Sequence, residues 1–353
     1  MGALTLSDWR ELLAHSICLP KEIPRLDSHQ KNNLSAVVKR FPMRINPYFL
    51  GLMQKPYDPI WRQAVADPIE LDDQLGERDP LCEKQQSVVT NLIHRYQNRV
   101  LFIVSDQCAV YCRHCMRKRW VGQTARVTKD TILQGIDYIV KNQMVDDVIL
   151  SGGDPLLLED HILFDILDRL RRISHLKIIR IHSRIPCTLP QRITPELVQG
   201  LARFHPLWLN TQFNHPLEIT AQAKKACVLL ADAGIPLGCQ TVLLKEVNDS
   251  AEILAELMTR LLEIRVRPYY LHHPDRVRGT HHFWLSPQKG LSIMEKLRGH
   301  LSGLAIPHYM IDLPGGGGKV ALLPDSILEK RPDFWRICNH EGRIFDYPMN
   351  HRP

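Results

Sequence analysis

From about residue 96 onward, short apolar runs alternate with helical stretches. That alternation restricts what the chain can fold into more than any other feature of its sequence. The runs lie at 100–104, 147–150, 177–181, 207–211, 236–244 and 267–271, with helical stretches such as 162–172, 221–233 and 251–264 between them. Each run has the length of a buried strand. Six strand–helix steps joined by short links point to a parallel sheet with helices outside it. Such units wind right-handedly and curl into a full or partial barrel. A later strand, 309–312, leads into the glycine run 315–318.

The first 95 residues read differently. Prolines at 20, 24, 42, 47, 55, 59, 68 and 80 cut them into short pieces, and Ser7-Asp8-Trp9 offers a helix N-cap. No motif for chemistry stands out before Arg95. The expected organisation is a helical N-terminal extension over 1–95, an α/β barrel over 96–313 and a C-terminal segment over 314–353. The extension would pack on the barrel or on a second subunit.

Three cysteines, Cys108, Cys112 and Cys115, follow the run 100–104 in a C-x3-C-x2-C spacing. The other six, at 18, 82, 187, 227, 239 and 338, are scattered singly. This distribution reads as a cofactor site in a reducing cytoplasm rather than a disulfide framework. Three thiolates on a loop leaving a strand can hold three irons of a 4Fe–4S cluster and leave the fourth open. Clusters that only transfer electrons normally have a fourth thiolate. The alternative is a structural zinc ion, for which adjacent His114 and Cys115 make an awkward pair of ligands.

Composition narrows the function classes. With 44% hydrophobic and 24% charged residues, the chain resembles an ordinary soluble protein. It has no run of eighteen apolar residues. Its first eight residues lack the basic flank of a signal peptide, so a cytoplasmic location is expected. The net charge of +7 comes from dispersed Lys and Arg, densest at Arg117-Lys118-Arg119. No basic stripe or reading motif for nucleic acid is visible. Cations beside the cysteines suit phosphate- or carboxylate-bearing small molecules.

Other stretches carry chemistry of their own. In Ser151-Gly152-Gly153-Asp154-Pro155, the glycines permit close backbone approach and Asp154 can hold an amine. The same stretch also reads as a tight strand-to-helix turn. Pro314-Gly-Gly-Gly-Gly-Lys319 is not a P-loop, because Leu313 and Val320 stand where glycine and a hydroxyl are required. A flexible glycine arm presenting an amine fits better, and a lysine amine forms Schiff bases with pyridoxal phosphate (PLP). The alternative is a surface loop with a solvated lysine. Arg95 and Arg99, four apart, would share one face of a helical turn and could fork onto phosphate oxygens. They also read as two solvated arginines. Arg117 lies two residues beyond Cys115. Asp275 and Asp312 sit at strand C-terminal ends, where barrel active sites form, though each could be a cap or an ion-pair partner.

The loop Tyr111-Cys-Arg-His-Cys-Met-Arg-Lys-Arg119 and these motifs together resemble the lysine 2,3-aminomutase family of radical S-adenosylmethionine (SAM) enzymes, from about 95 to 324. The resemblance implies a partial six-step barrel and three cofactors: a 4Fe–4S cluster on Cys108, Cys112 and Cys115, SAM, and PLP. It implies that the loop bearing Gly152, Gly153 and Asp154 meets the methionyl amine of SAM, and that Gln240 contacts the adenosyl cofactor. Lys319 would anchor PLP and Arg95 and Arg99 its phosphate. Arg117 would meet the substrate carboxylate, and Asp275 and Asp312 its distal ammonium. The implied reaction is 1,2-amino migration converting L-lysine to β-lysine. Arginine 2,3-aminomutase and the aminomutase that serves a translation factor are alternatives within the family. A radical RNA-modifying enzyme and a non-catalytic iron–sulfur module are alternatives outside it. An electron donor such as flavodoxin or ferredoxin and a homo-oligomer are also expected. Two residues depart from the pattern. Gln212 replaces a common histidine, and Ser250 replaces a cysteine often linked to zinc between subunits.

Overall fold

Ten strands form one sheet in sequence order. They are β1 (Ser87–Val89), β2 (Leu92–Tyr96), β3 (Arg99–Ser105), β4 (Asp147–Gly152), β5 (Ile178–His182), β6 (Leu207–Thr211), β7 (Leu237–Val242), β8 (Val266–His272), β9 (His308–Leu313) and β10 (Gly318–Ala321). The structure is a computed structural model that describes residues 8–24, 26–123 and 126–349. From β3 to β9 every neighbouring pair is parallel. Antiparallel hairpins flank this parallel set, β1–β2–β3 on one side and β9–β10 on the other. No pairing between β1 and β10 closes the ring among the described residues, so the barrel is open on one side.

Helices Lys129–Lys141, Asp160–Arg171, Pro195–Ala202, Ala221–Asp232, Ala251–Glu263 and Pro287–Leu297 lie between successive parallel strands. Most begin with a hydroxyl cap. Thr128, Thr194, Thr220, Ser250 and Ser286 each accept a backbone N–H from the first turn. Ser250, the position noted for its missing cysteine, is therefore a cap. The parallel strands carry apolar residues on both faces, as in β4, because helices cover one face and interior side chains the other.

The expected α/β partial barrel is present, but its edges differ from expectation. Residues 87–96 are a hairpin of the main sheet, not the end of a helical extension. Arg95 lies in β2 and Arg99 opens β3, so they flank a turn rather than share a helical face. The glycine run is not a free arm either. It makes a short turn, Pro314–Gly316, and then enters β10. Before residue 87 the expectation of short helices holds, with Trp9–Ala14, Ser28–Arg40, Pro47–Gly51 and Pro59–Ala64. Asp8 caps the first of these; Ser7, the other candidate, lies outside the described residues. A separate three-stranded sheet, β11 (Ile327–Lys330), β12 (Phe334–Cys338) and β13 (Ile344–Pro348), follows β10.

Candidate active site

The cysteine loop leaves the C-terminal end of β3, and the N-terminal segment braces it. Arg113 donates through Nε to Glu70 Oε1 at 2.8 Å and through Nη1 to the Pro42 carbonyl at 2.8 Å. Lys118 Nζ donates to Glu70 Oε2 at 2.7 Å and to the Gly279 carbonyl at 2.8 Å. Burial alone would raise the Glu70 carboxyl, but Arg113 and Lys118 outweigh it and hold it at about 2. Burial lowers the Lys118 ammonium to about 8 against the pull of Glu70. Lys118 of the basic patch, like Arg113 before it, is thus an internal strut rather than a ligand contact.

Cys108, Cys112 and Cys115 all line one cavity of about 360 Å³, within the range of small-molecule sites. Burial, then the neighbouring thiols, pushes Cys108 well up, and burial takes Cys115 to about 11. Cys108 and Cys115 are therefore poorly ionised by themselves, and three half-buried cysteines on one cavity match a cationic metal group. Arg184 Nη1 lies 2.7 Å from Cys112 Sγ, and its Nη2 donates to Glu218 Oε1 at 2.8 Å and Gln63 Oε1 at 2.6 Å. Among the described residues, no three His, Cys, Asp or Glu side chains converge tightly enough to hold a single metal ion. Three cysteines on one cavity fit three irons of a 4Fe–4S cluster.

The loop after β4 is sewn to the loop after β3. Gly153 N–H donates to the Ser105 carbonyl and Asp154 N–H to the Gln107 carbonyl, both at 2.7 Å. A Cβ on Gly152 would come within 2.2 Å of the Ser105 carbonyl, and one on Gly153 within 2.2 Å of the Gln107 carbonyl. Both glycines line the cavity, yet it is this backbone approach that demands them. Asp154 is engaged too. Its Oδ1 accepts from Ser183 Oγ at 2.7 Å and Leu156 N at 3.0 Å, and its Oδ2 from Arg184 N at 2.8 Å. Burial raises it to about 6 against those bonds. Asp154 thus ties the loop after β4 to Ser183 and Arg184, just beyond β5, in keeping with the tight turn that the sequence also suggested. Gln240, on β7, is part of the cavity wall. Gln212 donates to His114 Nε2 at 3.1 Å, beneath the cysteine loop.

Lys319 and Asp312 are cross-strand partners in the β9–β10 hairpin. Lys319 Nζ donates to Asp312 Oδ2, while Arg95 Nη1 donates to Asp312 Oδ1 at 3.3 Å. The Tyr96 hydroxyl accepts the Lys319 N–H at 3.0 Å and fixes the strand on which the lysine stands. Asp275 lies close by on the same cavity and its carboxylate has no partner among the described residues. Burial, then Asp312, raises it to about 7 against Lys319. Arg95 is further held by Gln86 Oε1 at 2.7 Å and the Leu81 carbonyl at 3.0 Å. Arg99 is less committed. Its Nε is buried without a hydrogen-bond partner and lies 3.8 Å from Asp147. That unsatisfied donor, with Arg180 and Tyr270 on the same wall, suits a phosphate. Together with the Lys319 amine, it fits a pyridoxal phosphate.

Arg117 also lines the cavity, but it is not a bare cation. It donates through Nη2 to Glu83 Oε1 at 2.8 Å. Its Nη1 is 3.4 Å from Ser151 Oγ. Every site residue predicted from sequence therefore reaches this cavity. Sequence reasoning missed Glu83, Arg180, Arg184, Tyr96 and the stacked pair Tyr269–Tyr270, whose rings are 3.8 Å apart. That pair shows one detectable cause. A register shift between β7 and β8 turns neighbouring tyrosines onto one wall.

A family model described as Lysine-2,3-aminomutase matches residues 294–352, and one described as Radical SAM superfamily matches 102–258. The chain is 44% identical to the L-lysine 2,3-aminomutase of Clostridium subterminale, over 98% of this chain and 86% of that protein. It is 46% identical to the L-lysine 2,3-aminomutase of Methanococcus maripaludis, over 91% and 75% of the two chains. It is also 41% identical to the glutamate 2,3-aminomutase of Clostridioides difficile, over 92% and 77%.

Proposed function

The chain belongs to the lysine 2,3-aminomutase family of radical SAM enzymes, and from that premise we propose that it interconverts L-lysine and β-lysine. It is an isomerase that works with a 4Fe–4S cluster, SAM and PLP. Those cofactors, when bound, supply a carbon radical and a conjugated carrier for the migrating nitrogen.

The chain's own residues would bind, orient and exclude water. Cys108, Cys112 and Cys115 would hold the cluster, with Arg184 supporting Cys112. The sewn loop of Gly152, Gly153 and Asp154 and the side chain of Gln240 would shape the SAM pocket. Lys319 would carry PLP and release it to the substrate amine, and Arg99 and Arg95 would face its phosphate. Arg117 would meet the α-carboxylate, and Asp275 with Asp312 the distal ammonium. This constellation draws on the barrel, on the preceding hairpin and on β10, so we divide the chain functionally into an extension, the barrel and a C-terminal segment that brings Lys319.

One observation carries the choice of lysine. Asp312 already pairs with a primary ammonium, that of Lys319. That pairing shows a carboxylate set to accept a primary ammonium, and a substrate ε-ammonium of the same chemistry would find Asp275 beside it. A glutamate side chain would meet two carboxylates there. Arginine is the nearest competitor, since a guanidinium also matches paired acids.

No helix among the described residues is long and apolar enough to cross a membrane. We place the enzyme in the cytoplasm, reduced by a low-potential carrier such as flavodoxin or ferredoxin. Exposed Leu328, Ile344, Phe345 and Tyr347 on the small sheet favour a homo-oligomer. The test of function is to incubate anaerobically reconstituted enzyme with each L-amino acid and profile the products. β-Lysine should dominate. A β-amino acid formed only from arginine or glutamate would overturn the substrate.

A further inference from the structure

The segment Asp79–Gln86, which shows no chemical motif in the sequence, touches three functional groups. The Pro80 carbonyl accepts the Gly315 N–H at 3.0 Å, at the turn before Lys319. The Leu81 carbonyl and Gln86 Oε1 hold Arg95. Glu83 holds Arg117. We propose that Glu83 is a positioning residue that aims Arg117 at the substrate carboxylate; this rests on the reading of Arg117 as the carboxylate anchor.

The geometry is directional. Glu83 Oε1 accepts from Arg117 Nη2 at 2.8 Å and Nε at 3.1 Å, so one edge of the guanidinium is occupied. Nη1, on the other edge, has only Ser151 Oγ at 3.4 Å, and both residues line the cavity. The Glu83 side chain is 3% exposed, so solvent does not weaken the contact. The carboxylate is itself fixed. Oε2 accepts from Arg119 Nη2 at 2.9 Å, Arg119 pairs with Asp79 at 2.9 Å, and Glu83 N–H donates to Asp79 Oδ1 at 3.2 Å. A planar fork gripped along one edge presents the other edge at a set angle, which a lysine could not do. Glu83 also answers the charge of Arg117 in the resting enzyme, so the pocket does not need a bound anion to remain neutral there.

Competition is the opposite possibility: Glu83 could mask Arg117 and oppose the substrate carboxylate. The two readings predict opposite signs. The experiment uses holoenzyme with cluster and PLP contents matched by absorbance, and compares Glu83→Gln, Glu83→Asp and Arg117→Lys. Two ligands are read, L-lysine as substrate and 1,5-diaminopentane, which lacks the carboxylate, as inhibitor. Glu83→Gln should raise the KM for lysine about ten-fold and change kcat far less, as for a lost binding orientation. Inhibition by the diamine should be unchanged. Glu83→Asp should fall between, and it carries the test if the glutamine variant does not load its cofactors. Equal weakening of lysine and diamine would make Glu83 merely structural, and tighter lysine binding would make it a competitor. Either result overturns the proposal. If Arg117→Lys leaves the lysine KM unchanged, the carboxylate anchor itself is misassigned, which separates that failure from the failure of Glu83.

Discussion

Lys319 and Asp312 face each other as registered partners across the β9–β10 hairpin, joined by an ion pair on the wall of the cavity that also holds three cysteine thiols. The hairpin fixes the amine within reach of a carboxylate that is 5% exposed. Borohydride reduction of the holoenzyme should therefore attach PLP to Lys319 and to no other lysine, as read by peptide mapping. Asp312→Asn should weaken lysine binding by about 2–5 kcal/mol, the range for removing one partner of a desolvated charge pair. Unchanged lysine kinetics would remove Asp312 from the substrate site.

Asp275 gives a pH dependence with a definite sign. Its carboxyl is raised to about 7 by burial and by Asp312. The folded state thus holds its proton more tightly than the unfolded chain, and this group's contribution to stability falls as pH rises from the ordinary carboxylate range through 7. Binding of a cation has the opposite slope, because it needs the ionised form. The KM for lysine should fall between pH 6 and 8 and then level off, and Asp275→Asn should flatten that limb. A flat wild-type profile would contradict the assignment.

The buried triad of Glu70, Arg113 and Lys118 makes a prediction about stability rather than turnover. Glu70→Gln leaves two buried cations without their carboxylate and should cost about 3–5 kcal/mol. Thermal unfolding of the anaerobic holoenzyme measures it. The contribution of Glu70 is full above the ordinary glutamate pKa and is lost as pH falls through about 2. A loss of less than about 1 kcal/mol would mean that the triad behaves like an exposed pair.

Arg184 should matter to the cluster. It lies 2.7 Å from Cys112 Sγ and bonds Glu218. Arg184→Gln removes the cation beside that sulfur while keeping a hydrogen-bonding side chain. The cluster's reduction potential should move to a more negative value, with iron content retained. An unchanged potential would limit Arg184 to packing.

Much of this was legible in sequence because it is local. The alternation of apolar runs and helices sets a parallel sheet, and cysteines four and three residues apart stay together on any loop. The edges were not legible. The strands of the 87–96 hairpin, three and five residues long, are too short to separate from turn structure, so spacing alone suggests one helical face for Arg95 and Arg99. The glycine run reads as flexible, yet pairing with β9 turns its end into a strand. Partners remote in sequence were also hidden. Nothing near Glu83 announces Arg117, and nothing near Asp154 announces Ser183. An acid that ties two loops together has the same letter as one that waits for a ligand.

In the proposed reaction the α-nitrogen of lysine moves to the adjacent carbon within this cavity. Reconstituted enzyme, reduced and supplied with SAM and PLP, would be given L-lysine carrying nitrogen-15 at the α-amine and carbon-13 at the β-carbon, and followed by carbon NMR. The labelled carbon should move to the shift of an amine-bearing carbon and be split by nitrogen-15, and Lys319→Ala should abolish the change. A product whose labelled carbon carries no nitrogen-15, or no product from lysine while another amino acid is rearranged, would contradict the proposed reaction.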